Sequence, residues 1–572
     1  MKLFTSILAT AFLLCISLPV SPEKNSATFW ERHIGGNGND LSRGIASNQN
    51  GSIFLTGVFD QNVELADYNL TSSGKNDIFL GKINPAGKVE WISKAGGNGN
   101  DLALDVTADN FGNSYLAGTF EDIMFFKNDH YLQAIGFTDA FVAKYDANGK
   151  VLWQRNYGGN YKDFCSAISS DHLGNLLIAG SFENDALFGK KVLTGFGKND
   201  AFVAKLDRQT GEPIWLEELG GGGEDIAWDV ITDYRGNIYL SGEFNDVALI
   251  GNTQLTSRGS SDVFLIKFSP DGNPLWVSQI GGSGKDTSRR LAIDRYGSIY
   301  LAGNFTKTAL FGKKHLTSLG QNDVFIASFT SKGEITWVKR AGGSGADQVY
   351  ALAVNQQREC LITGEFTQRA TFGESTVEAS GETDLFLASL TVDGNWNSVE
   401  SLGGDFHESG SALAIDRENR LLISGTFEDS ILLGAEMLVG KGERDTFLAR
   451  FTSNRSQADN RFKLSNKNKT DFGIVHASGN SEEIIATANE NKRLVKSCLR
   501  KAYRNDPTFQ GHMVVKFTIH PRGYVLPETV KILKSNLRDR KMEKCIIKNI
   551  KRWKNFPEAS GEGYPIVQKY IF

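Results

Sequence analysis

The chain has 572 residues, with 61 Gly and 37 Phe but only 11 Pro, and its formal net charge is −4. That length holds several domains, or one large and one small, and the composition excludes a low-complexity chain. The near balance of charge leaves no overall field to draw nucleic acid.

In chain order the first element is an export leader. Lys2 is followed by a mostly apolar run from Leu3 to Leu18, which predicts a signal peptide over residues 1–21. The run is short for a membrane span. An uncleaved leader serving as an anchor is the alternative. Leu14 precedes Cys15, and lipid attachment favours a small residue there. The expected location is therefore the periplasm or outer envelope of a bacterium, with the protein soluble or membrane-peripheral. Cys165, Cys360, Cys498 and Cys545 would then meet an oxidising compartment. The first two are isolated and read as buried thiols.

Residues 28–453 are governed by a repeat. Gly-Gly recurs at Gly35, Gly96, Gly158, Gly220, Gly281, Gly342 and Gly403. A Gly-x-Phe follows each pair, from Gly57/Phe59 to Gly425/Phe427, and then an Asp-x-Phe, from Asp77/Phe79 to Asp445/Phe447. Each unit reads as hairpins with turn signals, such as Asn148-Gly149, and no run has helical spacing. The segment after Gly-x-Phe is expected to add one short strand. Four antiparallel strands repeated seven times predict a β-propeller.

The first copy begins at the end of a unit and the last copy stops short of one. So residues 28–34 are expected to supply the outermost strand of the last blade, which removes an exposed pair of sheet edges. Trp30, Trp91, Trp153, Trp215, Trp276 and Trp337 each stand five residues before Gly-Gly, and the seventh place is Ser398. On D-x-x-G-N-x-Y-L-x-G-x-F and D-x-F-x-x-K, as in Asp109–Phe120 and Asp139–Lys144, the repeats resemble the SBBP family of seven-bladed β-propeller repeats. The resemblance implies a scaffold and says little of function.

Each Gly-Gly is followed by an acid: Asp40, Asp101, Asp163, Asp225, Asp286, Asp347 and Glu408. In a ring these would encircle one channel mouth and attract a cation, or each would cap its own turn. GGNGNDLAL at Gly96–Leu104 approaches the calcium β-roll nonapeptide, but its copies are not in tandem. The face carrying these loops and the variable segments is the expected ligand face. Leu206–Trp215 resembles a quinoprotein repeat in one copy only, and Ser269–Trp276 approaches the Asp-box of sialidases. Among eight His no metal-binding spacing occurs, and there is no G-x-S-x-G or P-loop. No catalytic residue, metal or cofactor is expected.

From 454 to 489 the periodicity stops and the sequence reads as a polar linker. Residues 490–572 form a second domain. Within it, 491–572 carry 19 Lys and Arg against 6 Asp and Glu, so a basic module follows an acidic body. Its pattern is α-β-β-α-β. Cys498, the hairpin Phe517–Val525, Cys545, Phe556-Pro557, and Tyr564, Pro565 and Phe572 resemble the AgmX/PglI type of C-terminal domain, a relative of the TonB C-terminal domain. That resemblance implies an envelope protein linked to gliding motility or energy-coupled transport. The Pro-rich spacer of TonB proteins is missing here. Within that arrangement Cys498 and Cys545 fall on the buried stripes of two helices over one sheet face, and a disulfide between them is expected.

The overall expectation is a mainly β, monomeric, non-enzymatic envelope scaffold. Its propeller would recognise an envelope protein or anionic polymer and its small α+β module would dock to envelope machinery. The alternatives are a propeller enzyme acting on carbohydrate or using a quinone, and an anchored energy transducer.

Overall fold

The computed structural model describes residues 30–451 apart from 405, 434 and 435. In the C-terminal part it describes 474–477, 498, 512–535, 537, 540–554, 556 and 564–571. The expected leader and most of the expected linker lie outside the described residues. The protein is mainly β.

Each repeat builds a four-stranded antiparallel sheet. In the second copy the strands are Leu102–Ala108, Ser114–Phe120, Asp139–Tyr145 and Val151–Tyr157, adjacent in chain order. Seven such sheets occur. In the last, Glu408–Ile415, Leu421–Phe427 and Asp445–Phe451 are completed by Trp30–Gly35, whose Trp30 faces Arg450 and whose Ile34 faces Thr446. The first strand of each sheet packs on the first strand of the next, and Glu408–Ile415 packs back on Asp40–Ser47, so these strands close a ring.

The two motifs explain how the sheets stack. Strands such as Ser114–Phe120 and Asp139–Tyr145 are buried along their whole length, because each sheet is covered on both faces by its neighbours. Gly118 pairs with Phe141. A Cβ at Gly118 would come within 3.0 Å of the Phe141 ring and 1.9 Å of the Leu102 carbonyl. So the Gly of Gly-x-Phe leaves the space that the Phe of Asp-x-Phe fills.

The Trp column ties each sheet to the next. Trp91 Nε1 donates to the Ala147 carbonyl at 3.0 Å, and a Cβ at Gly149 would lie 2.8 Å from the Trp91 ring. Gly149 has φ +78°, which suits glycine at this turn. The turn joins the third and fourth strands of the following sheet. In the last sheet those strands come from opposite ends of the chain, so no such turn exists for the seventh column member to dock on. Ser398 stands at that place.

One expectation is corrected. The segment after Gly-x-Phe forms two strands, not one, as in Asn62–Leu65 with Tyr68–Thr71. The first strand of this hairpin pairs with the Gly-Gly end of the preceding sheet, Gly35 facing Glu64 and Gly220 facing Leu249. The hairpins thereby cover edge positions that would otherwise stay open.

The C-terminal residues form another sheet. Ile474–Ala477, Tyr564–Ile571 and His512–His520 lie in that order, and Tyr524–Val525 and Lys531–Ser535 both pair with His512–His520. Helix Arg540–Ile550 buries Met542, Ile546 and Ile550, one turn apart, in a core with Phe517, Trp553 and Phe556. Ile474–Ala477 falls within the stretch read as linker, yet it is a strand paired with Tyr564–Ile571. The first expected helix is described only at Cys498, which is helical.

Candidate functional site at the ring axis

The seven acids after Gly-Gly are buried, each exposing at most 1% of its surface. Each accepts the amide of its own loop's second Gly. Gly36 donates to Asp40 and Gly97 to Asp101, both at 2.7 Å, and Gly404 donates to Glu408 at 2.6 Å. Gly159, Gly221, Gly282 and Gly343 serve Asp163, Asp225, Asp286 and Asp347 in the same way. These carboxyls hold turns and are not presented to solvent. The Asp of Asp-x-Phe stands beside each. A Cβ at Gly220 would meet Asp200 Oδ1 at 2.2 Å and Asp225 Oδ2 at 3.0 Å. The result is a buried carboxyl pair where one sheet meets the next, in which burial and the second carboxyl together raise the pKa of the Asp after Gly-Gly.

Side chains that do converge come from a feature the repeat pattern does not announce. Every first strand carries a β-bulge against its second strand, for example between Ser42 and Gly44, Ala227 and Asp229, and Ser288 and Arg290. A bulge leaves one residue unpaired and re-aims it. Those residues are Arg43, Leu104, Ser166, Trp228, Arg289, Tyr350 and Ser411. The first strands form the inside of the ring, so the unpaired residues lie along it, with Ser166 Oγ turned to the Ala179 and Ala227 carbonyls. The Arg289 guanidinium lies 5.2 Å over the Trp228 ring. Tyr350 feels both Arg289 and Arg43, which belong to different sheets, and donates to Glu365 Oε1 at 2.8 Å.

The next residue along adds Asp105, Asp229 and Arg290. Asp229 accepts the Leu291 amide at 2.6 Å and Asp105 the Ile168 amide at 3.0 Å, each across to a following sheet. Burial pushes Asp229 up to about 6, opposed by Arg290, and raises Asp105 against the same Arg290. Burial also raises Glu243, with Lys285 and Arg289 opposing. Burial lowers Arg43, although the residue as a whole is exposed.

The two cofactor-like motifs are ordinary turns. Asp207 Oδ1 accepts the Gln209 and Thr210 amides, and Ser269 Oγ accepts the Asn273 amide. Among the described residues no group of three His, Cys, Asp or Glu is placed to hold a metal ion. On the turns at the opposite end of the ring, Phe111, Leu173, Tyr234 and Tyr296 form an exposed row on successive sheets, 62–76% accessible.

In the C-terminal sheet Cys498 and Cys545 are joined as a disulfide. A cavity of about 550 Å³ lies between the helix and Ile532, lined by Arg540, Lys544, Lys548, Lys551 and Arg552 with a single acid, Glu543.

A model of the SBBP beta-propeller repeat family matches residues 275–304. A WD repeat-containing protein of Acanthamoeba polyphaga mimivirus, itself uncharacterised, is 23% identical over 359 residues, or 51% of this chain and 26% of that protein. Regulatory protein FlaEY of Caulobacter vibrioides is 26% identical over 192 residues, or 32% of this chain and 20% of that protein. The chain thus spans about a quarter or less of the curated relatives it matches. Among solved structures, quinohemoprotein alcohol dehydrogenase from Comamonas testosteroni aligns with TM-score 0.35 and 10% identity over 80% of each chain. A puromycin hydrolase aligns with TM-score 0.34 and 9% identity over 68% of this chain and 58% of that one. The chain is mainly β and carries a β-propeller repeat.

Proposed function

We propose that this chain is a non-enzymatic recognition protein of the cell envelope. In this reading the seven sheets are the blades of one propeller, the axial cluster is its ligand seat, and the C-terminal residues are a separate α+β module of TonB-like type that docks to a partner. The observation that carries the reading is the bulge position. Frame residues repeat from sheet to sheet, while the bulge holds Arg, Leu, Ser, Trp, Arg, Tyr and Ser in turn. A position released from pairing and varied on a rigid frame is suited to recognition. Capture of envelope components on immobilised full chain tests this. Trp228→Ala with Arg289→Met is expected to lose at least one component about tenfold, a cost of ~1.4 kcal/mol. Equal capture would sink the axial seat.

The basic groove supports docking to an anionic polymer. Lys544→Glu with Lys548→Glu is expected to abolish retention on immobilised polyphosphate, and the wild-type retention should fade with added salt. Retention unchanged by the double substitution would rule out docking through the groove.

A second reading, a propeller enzyme acting on carbohydrate, is favoured by two carboxyls that each meet an axial aromatic, Glu243 with Trp228 and Glu365 with Tyr350. A glycan-hydrolysing activity lost in Glu243→Gln would replace the first reading with this one.

A further inference from the structure

We propose that the chain forms a two-fold dimer through an apolar patch where the second and third repeats meet, in place of the monomer expected from the sequence. The patch is built on the hairpin of Ile123–Phe125 with Tyr131–Gln133 and on the loops beside it. Ile123, Phe125, Tyr131, Ile135, Phe137 and Tyr161 each expose 36–68% of their surface. Phe125 faces Tyr131 across the hairpin, with ring centroids 6.4 Å apart. The Ala134 amide donates to the Asp122 carbonyl at 2.8 Å, which ties Ile135 to the root of the hairpin. The Phe137 and Thr138 amides both donate to the Tyr161 carbonyl at 3.2 Å. The six side chains therefore share one stretch of surface.

The repeat frame does not call for them. The place of Phe137 is held in the other copies by Lys75, Lys198, Ser260, Gln321, Glu382 and Glu443. The place of Tyr161 is Phe406 in one copy and Gly38, Gly99, Gly223, Gly284 and Gly345 in the rest. A Cβ at those glycines would come within 1.5–2.5 Å of the residue after Gly-x-Phe, so the frame favours glycine there. The Phe125–Tyr131 rung is Glu64 with Asn69 in the first copy and Thr371 with Thr376 in the sixth. Aromatic departures from three separate frame positions are thus gathered in one place. Six large side chains, about half exposed, present on the order of 600 Å² of apolar surface. That is at the upper limit of about 600 Å² for a monomer, and it is most of the roughly 800 Å² per partner of a stable interface. The exposed charges flanking the patch are Asp122 and Asp129 against Lys127 and Lys162. A balanced set gives no pull on a polyanion or an anionic bilayer. A two-fold interface must be complementary to itself, and equal numbers of each sign meet that condition.

The test is sedimentation velocity of the full chain over a range of micromolar concentrations. A concentration-dependent dimer is expected, and it should survive added salt because apolar burial drives it. Phe125→Ser with Tyr131→Ser should weaken it at least about tenfold, the scale of losing an aromatic anchor. Phe137→Lys, which installs the residue of two other copies, should weaken it as well. Thr376→Ala, on the equivalent hairpin of the sixth copy, should leave it unchanged. An unaltered melting temperature of the monomer shows that each variant is folded. A monomer at every concentration would overturn the proposal, as would a dimer that dissolves in salt or one that the patch variants leave intact. A monomer that pellets with phosphatidylglycerol vesicles through Phe137 would also overturn it and make the patch a lipid-facing surface.

Discussion

Raising the pH from 5 to 8 is expected to destabilise the ring, the reverse of ordinary acid denaturation. Burial pushes Asp40 up to about 8 and Asp101, Asp163, Asp225, Asp286 and Asp347 up to about 7. The Gly amide in each turn opposes this, and the neighbouring Asp-x-Phe carboxylate adds to it, as Asp77 does for Asp101. In the unfolded chain these groups return to the ordinary value of 3.8. The folded ring therefore holds protons that the unfolded chain releases. Their stabilisation is complete below pH ~4 and is lost as pH rises through about 7 to 8. One pKa unit is ~1.4 kcal/mol, so a shift of only one unit in six groups gives ~8 kcal/mol. That is comparable with the whole stability of a typical domain. The melting temperature should fall from pH 5 to pH 8. Asp101→Asn cannot ionise, so it should flatten the slope and raise stability at pH 8 relative to wild type. A melting temperature that rises over this range, with no difference in the variant, would refute protonated aspartates in these turns.

Much of the ring around these paired carboxyls is legible in the sequence. The period, the four strands and the two-ended last sheet are written in Gly-Gly, Gly-x-Phe and Asp-x-Phe, because each residue has one fixed packing task. Gly118 must be small for Phe141 to cross it, and such a requirement recurs unchanged in every copy. Even the break at Ser398 carries information, since a Trp there would have no turn to meet. The second strand of each surface hairpin is less legible. Its residues are few and mostly exposed, and the hairpin's partner is the Gly-Gly end of the preceding sheet.

The axial cluster is not legible in the sequence at all. A bulge residue has no composition of its own. In aligned copies Arg43, Leu104, Ser166, Trp228, Arg289, Tyr350 and Ser411 read as unrelated variation. Only ring closure brings Arg43 and Arg289 to Tyr350, across 246 positions of sequence between the two arginines. The acids after Gly-Gly are the reverse case. Their regular spacing is conspicuous, but the spacing expresses a turn, and burial decides that they face inward. The signal that separates the two is the contrast itself: frame positions repeat, while the bulge position varies in size and charge from copy to copy.

Reduction, or Cys545→Ser, is expected to unfold the C-terminal module and leave the ring intact. Cys498 and Cys545 close a loop with a sequence separation of 47. The chain entropy removed by closing a loop of that size is worth about 4 kcal/mol. A small module has a small core and little margin to absorb that loss. The core itself runs through the link, since Cys498 packs with Met542, Ile546 and Ile550, and Asn549 Nδ2 donates to Cys498 Sγ at 3.0 Å. The ring cannot respond in the same way. Cys165 and Cys360 lie in different sheets, both fully buried, and burial raises both thiols so that little reactive thiolate forms. Denaturant unfolding without reductant should therefore expose two labelling sites from the described residues, and with reductant four. With reductant a low-denaturant transition should separate from that of the ring. Four labelled sites without reductant would disprove the link. A single unchanged transition would show that the module's core suffices alone, and that the disulfide acts on something other than stability.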